Sequence, residues 1–179
     1  TPFYKKPLVF AFACLSAFSL VVSAQVPAPV DFLGYELGDR FTRHHKVVDY
    51  AKTLASVSDK ATWVEYGQTQ EFRDLGLLIV ASPENHSRLE ALRQANLARA
   101  QGEGLSEDDP GIVFVWLSYN VHGNEAVCTE AALRTMHALV SGTDVGGRDV
   151  DEWLARAVVI IDPCVNPDGR DRYVAFQDQ

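Results

Sequence analysis

The 179 residues are 47% apolar and 22% charged, with a formal net charge of −8. That is the make-up of one ordinary globular domain and excludes a disordered chain. An acidic chain with no basic stripe has no electrostatic hold on a polyanion, so no nucleic acid is expected as a partner.

The chain opens on Lys5 and Lys6, an uncharged apolar run from Leu8 to Val22, and the small residues Val22-Ser23-Ala24. This pattern predicts a secretory signal over residues 1–24 and a secreted or periplasmic protein. The run is shorter than the ~20 residues of a comfortable membrane span, so no stable membrane insertion is expected after cleavage. An uncleaved anchor is the alternative. Cys14 lies inside the run, not after it, which argues against lipid modification there. Only Cys128 and Cys164 follow; free thiols are the default expectation and a Cys128–Cys164 bridge the alternative.

Residues 25–41, with Pro27, Pro29, Gly34 and Gly38, read as an extended lead-in, and residues 42–179 as the domain proper. Thr42 is placed to cap a helix in which Val47, Tyr50, Ala51 and Leu54 share one apolar face. Two strands follow, Thr62 to Tyr66 and Leu77 to Ala81, joined as a hairpin. Ser82-Pro83 starts a helix running to about Ala100, with Leu89, Leu92 and Ala95 inward. Residues 101–110, with the acidic run Glu107-Asp108-Asp109, make a solvated loop. Gly111 to Ser118 is a continuous apolar run and reads as a strand buried on both faces. Tyr119 to Gly123 turns into a helix from Asn124 to Val140, ended at Ser141-Gly142. A short helix around Asp151 to Ala155 precedes a buried strand, Val158 to Ile161, stopped by Asp162-Pro163. The order predicts an α/β domain with a mixed, largely parallel sheet and helices on both faces.

Chemistry concentrates where strands end. Ligand sites of open α/β sheets form in that crevice. Tyr119-Asn120-Val121-His122-Gly123-Asn124-Glu125 places a His and a Glu three apart, with Gly123 allowing a tight turn between them. An imidazole nitrogen and a carboxylate oxygen facing one point suit zinc. Taken alone, His-x-x-Glu arises by chance, and a glutamate near a helix start also suits the helix dipole. Asp162-Pro163-Cys164-Val165-Asn166-Pro167-Asp168-Gly169-Arg170 is a rigid loop, which alone is only a well-made turn. Glu65 to Arg73 alone is only a hairpin.

In this order, His-Gly-Asn-Glu after one strand and Asn-Pro-Asp-Gly after the next resemble the zinc carboxypeptidases of the carboxypeptidase A type, peptidase family M14. The likeness spans roughly residues 42–175. It departs from the family's early hairpin, where Gln-Glu-Phe-Arg (residues 70–73) stands in place of Glu-Gly-Arg. The resemblance implies one Zn2+ ion, with His122 and Glu125 as its first two protein ligands. It implies hydrolysis of C-terminal residues of peptides by metal-activated water. The third ligand, a later His, and the general base, a later Glu, are then expected beyond Gln179. The chain begins at Thr1 rather than Met and stops ten residues past Gly169, so it reads as an N-terminal fragment, inactive alone. No substrate-binding role is carried over to Arg170 or Arg172, and His44, His45, His86 and His137 read as ordinary helix residues. Two alternatives are a zinc amidohydrolase of the aspartoacylase or succinylglutamate desuccinylase type, and a non-catalytic carboxypeptidase-like binding domain.

Overall fold

The computed structural model describes residues 25–103, 111–142 and 146–179. The expected signal and the acidic run at 107–109 lie outside the described residues.

The lead-in is not simply extended. Pro29–Leu33 forms a short helix, α1, with Pro at its first turn and a left-handed Gly34 (φ 77°) whose N–H closes it on Val30. Proline pre-sets helical φ and glycine takes the left-handed cap without steric cost. Phe32 of α1 meets Tyr50 with ring centroids 5.2 Å apart, and the Tyr50 hydroxyl donates to the Pro27 carbonyl at 2.9 Å. The lead-in therefore packs against the core through Val26, Phe32, Leu33 and Leu37.

Helix α2, His44–Val57, buries Val47, Tyr50, Ala51 and Leu54 as the periodicity predicts. Its N-cap position is Arg43, however. Thr42 does not cap; its N–H donates 2.7 Å to Glu130. Strands β1 (Ala61–Gln68) and β2 (Asp74–Val80) pair as an antiparallel hairpin. The single helix expected over 83–100 is two. In α3, Pro83–Ser87, the Ser82 hydroxyl accepts from the Asn85 N–H, as the capping pattern predicts. At Arg88 (φ −118°) the backbone leaves helical geometry, and α4 resumes over Leu89–Ala100. Asn85 explains the anchoring of α3: its buried amide donates to the carbonyls of Leu154 and Ala155, both at 3.0 Å. No residue of α4 is fully buried; Leu89 and Leu92 are half-buried and Ala95 exposed.

Strand β3 is Val113–Ser118 and β4 is Ala157–Asp162; they run parallel. The sheet order is β1-β2-β4-β3, and both other pairings are antiparallel. The sheet is mixed but not largely parallel. The hairpin supplies one antiparallel pair, and β2 against β4 supplies the other. Strand β3 is also not buried on both faces: Val113 and Trp116 are each 58% exposed. It stands at the outer position, with β4 as its only strand neighbour among the described residues. Apolarity marked it as a strand but did not fix its place in the sheet. Helix α5 is Cys128–Ser141, ending on left-handed Gly142 (φ 69°). It starts later than expected because residues 122–127 form tight turns. Helix α6 is Val150–Leu154, capped by the Asp149 carboxylate. The Asn-Pro-Asp-Gly segment is more than a turn: Asn166 accepts from the Gly169 N–H and caps a final helix, α7, Pro167–Gln177.

The core lies where α2 and α5 pack on the sheet face carrying Leu78, Val80, Val159 and Ile161. On the opposite face Leu77, Ile79 and Ile160 are half-buried and Val158 is fully buried.

Candidate metal centre

Parallel pairing of β3 with β4 sets Ser118 beside Asp162, so both motif loops leave the sheet at the same end. The loops are then laced together. The Tyr119 N–H donates to Asp162 O at 3.0 Å, and Val165 N–H to Tyr119 O at 3.0 Å. Asn166 adds its backbone N–H to Asn120 O at 3.2 Å and its side-chain amide to Val121 O at 3.2 Å. A Cβ on Gly123 would collide with the backbone carbonyl of Gly169. The glycine of one motif thus exists for the close approach of the other.

Within the first loop His122 and Glu125 converge. Imidazole Nδ1 lies 2.7 Å from Glu125 Oε1, and the His122 N–H donates to Oε2 at 3.1 Å. The Glu125 N–H closes the turn on His122 O at 3.1 Å. The hydrogen bond from His122 holds the Glu125 carboxyl below the usual carboxylate range. Glu125 sits in this turn, three residues ahead of α5, so its placement is set by the loop, not by the helix dipole. The two side chains are 75% and 35% exposed. One imidazole nitrogen and one carboxylate oxygen meet at a solvent-facing point, a donor set that fits zinc with open positions remaining. Among the described residues no group of three or more His, Cys, Asp or Glu is arranged to hold a metal, so the pair would supply two protein ligands.

The hairpin motif also reaches this end of the molecule, through side chains. The Thr69 hydroxyl donates to Asp168 Oδ1 at 2.7 Å; Arg73 donates to Asp168 at 2.7 Å and to Asp171 at 2.9 Å. Glu71 pairs with Arg73 and Arg172. Departure from Glu-Gly-Arg leaves Phe72 with φ 60° and 82% exposed at the tip. Arg170 is fully buried: it pairs with both Glu130 oxygens at 2.9 and 3.0 Å and donates to Thr42 O and Ala126 O. It is committed to the fold, and Arg172 is engaged by Glu71.

Three features escaped the sequence reading. Asp162, read as a strand stop and the first residue of the rigid loop, is buried, accepts from the Tyr66 hydroxyl at 2.8 Å, and has its carboxyl pushed up by burial. His44 is not an ordinary helix residue; it is 5% exposed, with Nε2 2.7 Å from Asp74 O and no partner for Nδ1. Asn120, buried at φ 54°, had no signal beyond its neighbourhood to His122. Cys128 and Cys164 are free thiols, and burial pushes the Cys164 thiol up to about 12.

Fold and site define a mixed α/β domain with an exposed His–Glu pair at the mouth of a parallel strand pair. The zinc carboxypeptidase profile matches residues 47–176, and the chain belongs to that family. No curated protein sequence matches it. Among solved structures, carboxypeptidase A from Helicoverpa armigera is 22% identical, with 74% of this chain and 26% of that one covered and a TM-score of 0.54. Thrombin-activatable fibrinolysis inhibitor is 14% identical over 74% of this chain and 27% of that one, TM-score 0.52. Its bovine form, in complex with tick carboxypeptidase inhibitor, is 14% identical over 74% and 33%, TM-score 0.50. These likenesses concern the fold. The chain spans about a quarter to a third of the length of the structures it matches.

Proposed function

We propose that this chain is the ligand-bearing front part of an exported zinc metallocarboxypeptidase that removes C-terminal residues from peptides. The observation that carries the reading is the His122–Glu125 contact at the carboxyl end of β3, with the Asn166–Gly169 helix start laced against it. Family membership supports zinc as the ion and a peptide as the substrate. The charge and apolar pattern of residues 1–24 supports export to a secreted or periplasmic location. Among the described residues no helix is long and apolar enough to cross a membrane.

His122 and Glu125 would hold the ion, which when bound supplies Lewis acidity and a water acidic enough to attack at neutral pH. The chain's own residues position that chemistry. Glu125, ionised and paired, anchors His122; Asn166 and Gly169 keep the loop seated; the exposed side of the pair leaves room for a substrate carbonyl. The third ligand and the general base are assigned to sequence outside these 179 residues.

The test is a zinc titration of the purified chain followed by a peptidase assay. Weak binding, abolished in His122→Ala and Glu125→Gln, with no peptide turnover, is the expected result, because two ligands do not complete a site. Robust zinc-dependent turnover by this chain would overturn the division of the site. An extended product carrying the sequence past Gln179 is expected to cleave peptides; activity on acylated amino acids instead would favour the amidohydrolase class.

A further inference from the structure

We propose that Asn120 is the positioning residue of the His122–Glu125 pair, its side-chain amide fixing the ligand loop through the His122 carbonyl. The inference rests on the metal reading above. Asn120 is one of two non-glycine residues at positive φ among the described residues, with φ 54°, and it is 1% exposed. A left-handed backbone favours glycine, and asparagine tolerates it better than most. A glycine would serve the turn alone. What asparagine adds is a buried amide, and both ends of that amide are engaged.

The Thr129 hydroxyl, from the first turn of α5, donates to Asn120 Oδ1 at 2.7 Å. The Cys164 thiol, from the loop after β4, approaches the same oxygen at 3.8 Å. With Oδ1 held there, Nδ2 is turned toward the His122 carbonyl and donates to it at 2.5 Å. A flipped amide would set oxygen against oxygen. That carbonyl is also the acceptor for the Glu125 N–H, the bond that closes the turn carrying the second ligand. One carbonyl therefore ties both ligands, and Asn120 fixes that carbonyl from the protein interior. The His122 side chain is 75% exposed, so packing does little to hold it and its placement leans on these backbone bonds. Partners behind metal ligands orient them, and losing one typically costs about 10–100-fold in metal affinity.

The experiment titrates Zn2+ into the 15N-labelled 179-residue chain, following the His122 imidazole and the amides of residues 120–126 by NMR. Melting temperatures are taken on every variant. The wild-type chain is expected to show a saturable shift that His122→Ala abolishes. Asn120→Gly, which keeps the left-handed turn and drops the amide, is expected to weaken binding about 10-fold or more. Thr129→Val, which removes the hydroxyl that orients the amide, moves the same way. Thr129→Ser restores wild-type affinity. Wild-type affinity in Asn120→Gly would show that only the turn matters and would overturn the proposal. So would a loss in Thr129→Ser equal to that in Thr129→Val and tracking the melting temperature. A wild-type chain with no His122-dependent shift sinks the metal reading itself, and this inference with it.

Discussion

His44 shows how much one side chain can carry without any sequence signal. It lies at the start of α2, buried, bonded through Nε2 to the carbonyl of Asp74 and left without a partner at Nδ1. Burial is the main reason its imidazole sits below its ordinary value. The Asp74 carbonyl and the Asp171 and Asp74 charges oppose that shift, and Arg73 adds to it. The folded state thus favours the neutral ring, while the unfolded chain protonates near its ordinary value of about 6.5. Stability from this group is present above that pH and is lost as pH falls below it, until the folded imidazole itself takes a proton. Urea midpoints measured at pH 7.5 and 5.5 are expected to fall for the wild-type chain. In His44→Gln the His44 share of that fall should vanish; an unchanged slope would contradict the assignment.

At the scale of elements, the β1–β2 hairpin and α7 form one unit at the site end of the sheet. Thr69 organises the turn, accepting from the N–H groups of Glu71 and Arg73 and donating to Asp168. Arg73 then spans Asp168 and Asp171, the first on the opening turn of α7. The two carboxylates are 16% and 17% exposed, so removing the arginine leaves partly buried acids side by side. Arg73→Ala is expected to cost about 1–3 kcal/mol. It should also speed amide exchange in residues 167–171 selectively. Uniform exchange throughout the chain would argue that the clamp has no local role.

Across the whole molecule, the buried Arg170–Glu130 pair connects α7, α5 and the segment before α2, because it also engages the backbone at Thr42 and Ala126. Removing one member leaves a desolvated charge, which costs about 3–5 kcal/mol. A domain of this size has about 5–15 kcal/mol in all. Chemical unfolding of Arg170→Ala should therefore show a clearly lowered midpoint, whereas the double replacement Arg170→Met with Glu130→Leu should recover the part due to the unpaired charge but not the part due to the Thr42 and Ala126 backbone bonds. Equal destabilisation by both would mean that the hydrogen bonds to the Thr42 and Ala126 backbone, not the pairing of the two charges, are what the pair provides.

Local pattern determined many of the elements and the closeness of His122 and Glu125. The apolar face of α2, the Ser82 cap, the β1–β2 hairpin and the spacing of His122 and Glu125 are all set by neighbours a few residues apart. Those preferences are short-ranged and legible in order along the chain. Tertiary structure decided the rest. The antiparallel docking of β2 on β4 made the mixed sheet mainly antiparallel, and Trp116 of β3 stays exposed. Gly123 meets Gly169 and Arg170 meets Glu130 only after the strands have chosen their neighbours, and Asn120 meets Thr129 only once the loop after β3 has folded back on α5. Hydrophobicity says that a residue is to be covered but not by what. The partner of a buried polar group is fixed only when separate segments converge, so the support behind His122 and Glu125 belongs to the fold and not to the motif.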